Sequence, residues 1–108
     1  MVIKKKLKRP EKEPNLLLKI KEAINSGNYR DVTHALERSI ERAITRAEYL
    51  YVLKNGRHEK KKDEFKEEYN NWNYAIRGKT LDEKELRVIV SFEENGLLVI
   101  TVIDLELK

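Results

Sequence analysis

The sequence predicts a small α+β domain, in which two or three N-terminal helices pack on one face of an antiparallel meander of three or four strands. Up to residue 56 the apolar residues recur with helical spacing, whereas from residue 72 onward they alternate with polar residues as in strands. The two longest apolar runs are separated by an Asn-Gly pair, which is typical of a tight hairpin turn. With 108 residues, we expect a single domain over 14–108.

Two helices are predicted in the first part of the chain. The first covers about 15–26, with Asn15 as its N-cap and Gly27 where a helix normally stops. The second follows Thr33, a good N-cap residue, and continues to about Ile44. Both have apolar residues at i, i+3 and i+4 spacing, so each presents one side to a common core.

A third helix is predicted from Thr45 to a stop at Gly56. Thr45 and Glu48 have the spacing of a capping box, in which each side chain binds the backbone N–H of the other residue. The segment 28–32 is predicted to be a loop or a very short strand. The segment 57–70 has no clear period, and we expect an extended, partly strand-forming connector there, with a short charged helix as the alternative.

Three strands follow, at about 72–77, 86–92 and 97–103. If the Asn-Gly pair forms a two-residue turn, the last two strands pair so that Arg87 lies opposite Asp104. We therefore expect an ion pair across the sheet at that position.

Composition excludes several classes of function. The chain has no cysteine and two histidines, so it has no disulfide, no thiol nucleophile and no Cys-ligated zinc, and we expect neither a metal nor a cofactor. No apolar run approaches the ~18 residues that a membrane-spanning helix needs. We expect no membrane contact and a cytoplasmic location.

The basic excess is concentrated at the N-terminus. Residues 1–13 contain six Lys or Arg and two Glu, so the whole formal charge of +4 lies there. We expect these residues to form a flexible basic tail, in which Lys4, Lys5 and Lys6 can hold phosphates. The alternative is a solvated, frayed terminus without a ligand.

The second predicted helix carries candidate catalytic residues. His34, Arg38 and Arg42 follow at four-residue intervals and so form a line on the side away from the apolar face. An imidazole that transfers protons beside a guanidinium that holds phosphate suits phosphodiester cleavage, with Arg42 as a further nucleic-acid contact. The alternative is a solvated helix face with ion pairs to the interleaved Glu37 and Glu41.

A second basic cluster precedes an aromatic strand. Trp72 and Tyr74 share one face of this strand, and Arg77 points to the other. Cations beside aromatic rings are typical of single-stranded RNA binding, although core packing is the better interpretation for Trp72. The candidate nucleic-acid contacts in this cluster are Arg57, His58, Lys60 and Lys61.

Several segments resemble the signature of a small prokaryotic domain family of unknown function, whose members are often encoded near toxin–antitoxin genes. The resemblance covers about residues 29–105, and the order of elements is also similar to RelE-like, BrnT-like and MqsR-like toxin folds. The segments that carry it are His34-Ala35-Leu36-Glu37-Arg38, the run from Trp72 to Thr80, Leu86 to Val90, and Val99 to Val102.

The resemblance implies a toxin-like endoribonuclease that needs no metal, with RNA as substrate and an antitoxin protein as partner. It places the functional positions at His34 and Arg38 of the helix and at Tyr74, Arg77 and Arg87 of the strands. In such a reaction His34 or Tyr74 would transfer protons, while Arg38 and Arg77 would stabilise the charged phosphorane. The alternative is a non-catalytic module that binds nucleic acid or protein.

Overall fold

The computed structural model describes residues 9–32 and 43–106. Within these ranges the chain is an α+β domain with two helices and six strands. Single-turn 3-10 helices occupy Lys60–Lys62 and Glu67–Tyr69. In chain order the elements are α1 (Leu16–Ser26), β1 (Tyr29–Asp31), α2 (Arg46–Asn55), β2 (Arg57–His58), β3 (Glu64–Lys66), β4 (Asn71–Lys79), β5 (Glu85–Glu93) and β6 (Gly96–Asp104).

The sheet has more strands than the sequence predicts. Its order is β1-β6-β5-β4-β2, and β3 also pairs with β4. β1 runs parallel to β6, and the other pairs are antiparallel. The three additional strands are two or three residues long, which is too short for a two-residue period to be recognised in the sequence. The extended connector expected over 57–70 is confirmed.

The predicted pairing of β5 with β6 is wrong by one or two residues. Glu93 pairs with Gly96, so the turn consists of the two residues between them, and an irregularity follows between Ile89 and Val90. Arg87 consequently faces Ile103. Gly96 has a φ of 145°, and a Cβ there would lie 2.6 Å from the backbone oxygen of Asn28. Glycine is therefore required by the close approach of a distant loop.

The core lies between the sheet and the two described helices. Fully buried side chains of α1 and α2 meet those of the three long strands, including Ile20, Tyr49, Val52, Ile76, Val88 and Val99. Burial of this apolar surface provides the main stabilisation of the domain. No helix in the described ranges is long and apolar enough to span a membrane.

Local signals at the ends of α2 are confirmed. Thr45 Oγ1 accepts a hydrogen bond from the Glu48 N–H (3.1 Å), and Glu48 Oε1 accepts one from the Thr45 N–H (2.9 Å). Gly56 follows the helix, and a Cβ there would lie 2.6 Å from the backbone oxygens of Val52 and Arg77. The absence of a side chain lets α2 end directly against β4, so β2 starts at the sheet.

Residues 9–13, which the sequence assigns to the flexible tail, lie against the sheet, and we call them the strap. Trp72 Nε1 donates to the Pro10 carbonyl (2.8 Å), and the Glu13 N–H donates to Tyr74 Oη (2.9 Å). Lys12 Nζ lies 2.9 Å from Asp63 Oδ2. Aromatic rings and a buried carboxylate thus supply partners that the local sequence of the strap does not reveal.

Candidate functional site

A histidine and an aspartate form the chemically most distinctive contact among the described residues. His58 Nε2 lies 2.7 Å from Asp63 Oδ2. The single turn Lys60–Lys62 interrupts the edge of the sheet between β2 and β3, which run in the same direction along β4, so a strand residue and a loop residue five positions apart can meet. The Asp63 side chain is fully buried, and that of His58 is 14% exposed.

Two further contacts fix the Asp63 carboxylate. Its Oδ1 accepts a hydrogen bond from the Ala75 N–H (3.0 Å), and its Oδ2 also pairs with Lys12 of the strap at 2.9 Å. A buried carboxylate needs such partners, because an unpaired charge in the interior is costly. Asp63 therefore ties β4, the turn before β3 and the strap to His58.

This contact determines which nitrogen of His58 can react. An ionised carboxylate only accepts hydrogen bonds, so the proton of a neutral His58 lies on Nε2 and Nδ1 keeps its lone pair. Nδ1 has no hydrogen-bond partner in the part of the chain that the structure describes. His58 also lines a cavity of about 570 Å³ together with Lys12, Lys60 and the chain around α1's start. A hydroxyl group entering this cavity could give its proton to Nδ1.

Exposed cations flank His58 in the sequence, and one of them, Lys60, lines the cavity. Lys60 and Lys61 lie on the single turn that follows His58, and Arg57 precedes it. All three are exposed, and none of them forms an ion pair within residues 9–32 and 43–106. Unpaired cations are available to phosphates, and their counterions are released when phosphates bind.

Tyr74 supports His58 and is not free to react with a ligand. It is 2% exposed, and its ring packs edge-on against the His58 ring with 5.9 Å between centroids. Its hydroxyl accepts the hydrogen bond from Glu13, and burial raises the pKa of Tyr74. These contacts fix the orientation of the imidazole.

Arg77 lies on the opposite face of β4 from Tyr74, within a network of charged side chains. Glu59 accepts hydrogen bonds from Arg87 (2.6 and 3.1 Å) and from Arg77 (3.3 Å). Hydrogen bonding to Arg87, followed by that to Arg77, lowers the pKa of Glu59 to about 2. Arg77 Nε also lies 3.7 Å from Glu85 Oε2. The two arginines are thus bound to carboxylates and are not directed toward His58.

The structure therefore brings together only part of the predicted site. Among the predicted residues, Tyr74, His58 and Lys60 are neighbours, and Arg77 is separated from them by the sheet. Asp63 and Lys12 were not predicted; the only signal for Asp63 is a lone acidic residue after a lysine run. The predicted contacts His34, Arg38, Arg42, Lys4, Lys5 and Lys6 lie outside the described residues.

A second cavity of about 570 Å³ lies on the other face of the sheet. Its described lining is largely apolar and contains residues such as Phe92, Leu98 and Ile100. It contains no histidine in the described ranges, so it offers no equivalent of the His58–Asp63 pair.

Comparison with known proteins places the chain in a family. No curated protein and no solved structure matches it. A family model described as "Domain of unknown function (DUF4258)" matches residues 32–104, which is more than half of the chain and includes both His58 and Asp63. The protein therefore belongs to the DUF4258 family.

Proposed function

We propose that this protein is a toxin-like endoribonuclease in which His58 is the proton acceptor. The observation that supports this proposal is the His58–Asp63 pair at a cavity lined by Lys60, which forms no ion pair in the described ranges. Asp63 holds the imidazole in the tautomer that a general base requires, and Lys60 is placed to bind a phosphate. This assignment replaces Tyr74 and Arg77 as catalytic candidates, because both are held in structural contacts.

The proposed reaction uses the ribose 2′-hydroxyl as nucleophile. His58 Nδ1 takes the hydroxyl proton while the 2′ oxygen forms a bond to the adjacent phosphorus, and the bond to the 5′ oxygen breaks. The departing 5′ oxygen takes a proton from solvent. The products are a 2′,3′-cyclic phosphate and a free 5′-hydroxyl, so a strand that lacks 2′-hydroxyl groups is not cleaved.

The experiment is a cleavage assay with the full chain, single-stranded RNA and a chelator. The wild-type protein should yield 2′,3′-cyclic phosphate ends on RNA and leave DNA of the same sequence intact. Loss of a general base lowers a reaction rate by about 10²–10⁴-fold, so the cleavage rate of His58→Ala should be at least about 100-fold below that of the wild type. Lys21→Ala, which changes an exposed lysine of α1, is the matched control. Intact RNA with the wild-type protein, or equal rates for His58→Ala, would contradict the proposal.

A second candidate function is a binding module without chemistry. It is favoured by Arg57, Lys60 and Lys61, which are exposed and form no ion pair with the residues that the structure describes; the tail residues Lys4, Lys5 and Lys6 could add to them. In this case RNA binding survives His58→Ala, weakens steeply with salt and is lost on charge reversal of the turn lysines.

An antitoxin partner and a cytoplasmic location are part of the toxin proposal. Co-purification with the product of a neighbouring gene tests the partner.

A further inference from the structure

Two aromatic rings beside the His58 cavity are covered by cations of the strap. Phe65 and Trp72 pack edge to face, with 5.4 Å between centroids and 67° between ring planes. The Arg9 guanidinium carbon lies 4.9 Å from the Phe65 centroid and 5.9 Å from that of Trp72. Lys12 Nζ lies 4.6 Å from the Trp72 centroid. Both rings are half-buried, so the strap covers ring surface that would otherwise be exposed to solvent.

The strap is held firmly at one end and weakly at the other. Lys12 pairs with the buried Asp63, and Glu13 is hydrogen-bonded to Tyr74. Arg9 is exposed and forms no ion pair among the described residues, and the Pro10 carbonyl accepts one hydrogen bond, from Trp72. Release of residues 9–11 therefore uncovers the ring surface beneath Arg9, chiefly that of Phe65, while Lys12 keeps its pair with Asp63 and its place beside Trp72.

A guanidinium over an aromatic ring occupies the position that a nucleobase takes when it stacks. Both groups are flat and interact with the π face of the ring, and stacking of a base on an aromatic side chain is at least as favourable as an exposed cation–π contact. Lys12 borders both the Trp72 ring and the His58 cavity. A base stacked on this pair of rings, in the place that Arg9 leaves, would thus lie next to the place where the proposed function puts the scissile phosphate.

We propose that Phe65 and Trp72 form a base-stacking site for single-stranded RNA, and that residues 9–11 are a cover which the incoming base displaces. This inference rests on the proposed function, because it assigns a base subsite to the same RNA. Once released, Arg9 becomes free to bind phosphate together with the basic residues that precede it in sequence.

The composition of the chain permits a direct test. It has no cysteine, and Trp72 is its only tryptophan. A cysteine introduced by Glu11→Cys, at an exposed strap position, can carry bimane, which tryptophan quenches on contact. An oligouridylate should quench Trp72 emission and at the same time restore bimane emission. Heparin, which supplies negative charge without bases, should leave bimane quenched.

Unlabelled variants test the rings themselves. Trp72→Leu and, independently, Phe65→Leu should lower the affinity for oligouridylate by roughly 5- to 100-fold, as expected for the loss of one base–aromatic stack. Tyr69→Leu removes a ring that is 77% exposed and should have little effect. Two variants are used so that a folding defect in one does not decide the outcome.

The outcomes separate this inference from the function on which it rests. Three results would show that the stacking site is wrong while RNA binding stands. They are binding of oligouridylate with bimane still quenched, equal restoration of bimane emission by heparin, and wild-type affinity for oligouridylate in both leucine variants. If oligouridylate does not bind the wild-type protein, the proposed function and the stacking site are both wrong.

Discussion

Glu59 provides a quantitative test of the conclusion that Arg77 and Arg87 belong to the scaffold. Glu59→Gln keeps the shape of the side chain and removes its charge. Because the pKa of Glu59 falls from 4.5 to about 2, and one pKa unit corresponds to ~1.36 kcal/mol, its ionisation stabilises the fold by at most roughly 3 kcal/mol. The side chain remains 19% exposed, so solvent screening reduces this value, and we expect about 2 kcal/mol.

The sign of the pH dependence follows from the lowered pKa. A carboxylate with a lower pKa in the folded state contributes its full stabilisation above the unfolded value of 4.5, and loses it as the pH falls toward about 2. The free energy of unfolding of Glu59→Gln should therefore lie about 2 kcal/mol below that of the wild type at pH 7, and the difference should shrink as the pH is lowered through this range.

Urea unfolding, monitored by circular dichroism at pH 7 and at lower pH, measures the free energy of unfolding of the wild type and of Glu59→Gln. Glu94→Gln, at an exposed turn position, is the control and should match the wild type at each pH. The reasoning is refuted if Glu59→Gln is as stable as the wild type at pH 7, or if its deficit stays constant down to pH 2.

Three further substitutions test individual contacts. Thr45→Ala removes the capping box with Glu48 and should lower the free energy of unfolding by about 1 kcal/mol in urea titrations; an unchanged midpoint would contradict it. Tyr74→Phe keeps the ring but loses the hydrogen bond from the Glu13 N–H, so the free energy of unfolding should fall by about 1 kcal/mol while the RNA cleavage rate stays within a few-fold of wild type. A drop in that rate as large as that for His58→Ala would show that the Tyr74 hydroxyl takes part in the reaction. Asp63→Asn breaks a buried ion pair, so it should lower the free energy of unfolding by roughly 2–4 kcal/mol and slow RNA cleavage. Wild-type stability of this variant would show that Asp63 is not buried as a charged group.

Local signals in the sequence were sufficient for much of the fold. The first helix, the capping box at Thr45 and the stop at Gly56 depend on residues within a few positions of one another, and these are confirmed. The long strands follow from the alternation of apolar residues that one buried face requires. In these elements, sequence separation is short and the physical cause is visible in the residues themselves.

Long-range contacts and one irregular turn account for the features that the sequence does not predict. Gly96 adopts its conformation where the distant Asn28 approaches, and β5 and β6 pair in a register that the two-residue turn expected at Asn95 and Gly96 does not give. The His58–Asp63 pair depends on a single 3-10 turn in a segment without periodicity. Lys12 completes the pair from a part of the chain that composition alone assigns to a tail. Such contacts arise from tertiary packing, which neither propensity nor spacing encodes.

The central claim is that His58 and Asp63 act as one unit in RNA cleavage. The most direct test is a double-mutant cycle on the single-turnover rate constant, with His58→Ala, Asp63→Asn and the two combined in the full chain. Residues that act together are strongly non-additive, so the double variant should cleave no more slowly than His58→Ala alone. Independent, multiplicative losses, or a wild-type rate for His58→Ala, would contradict the account.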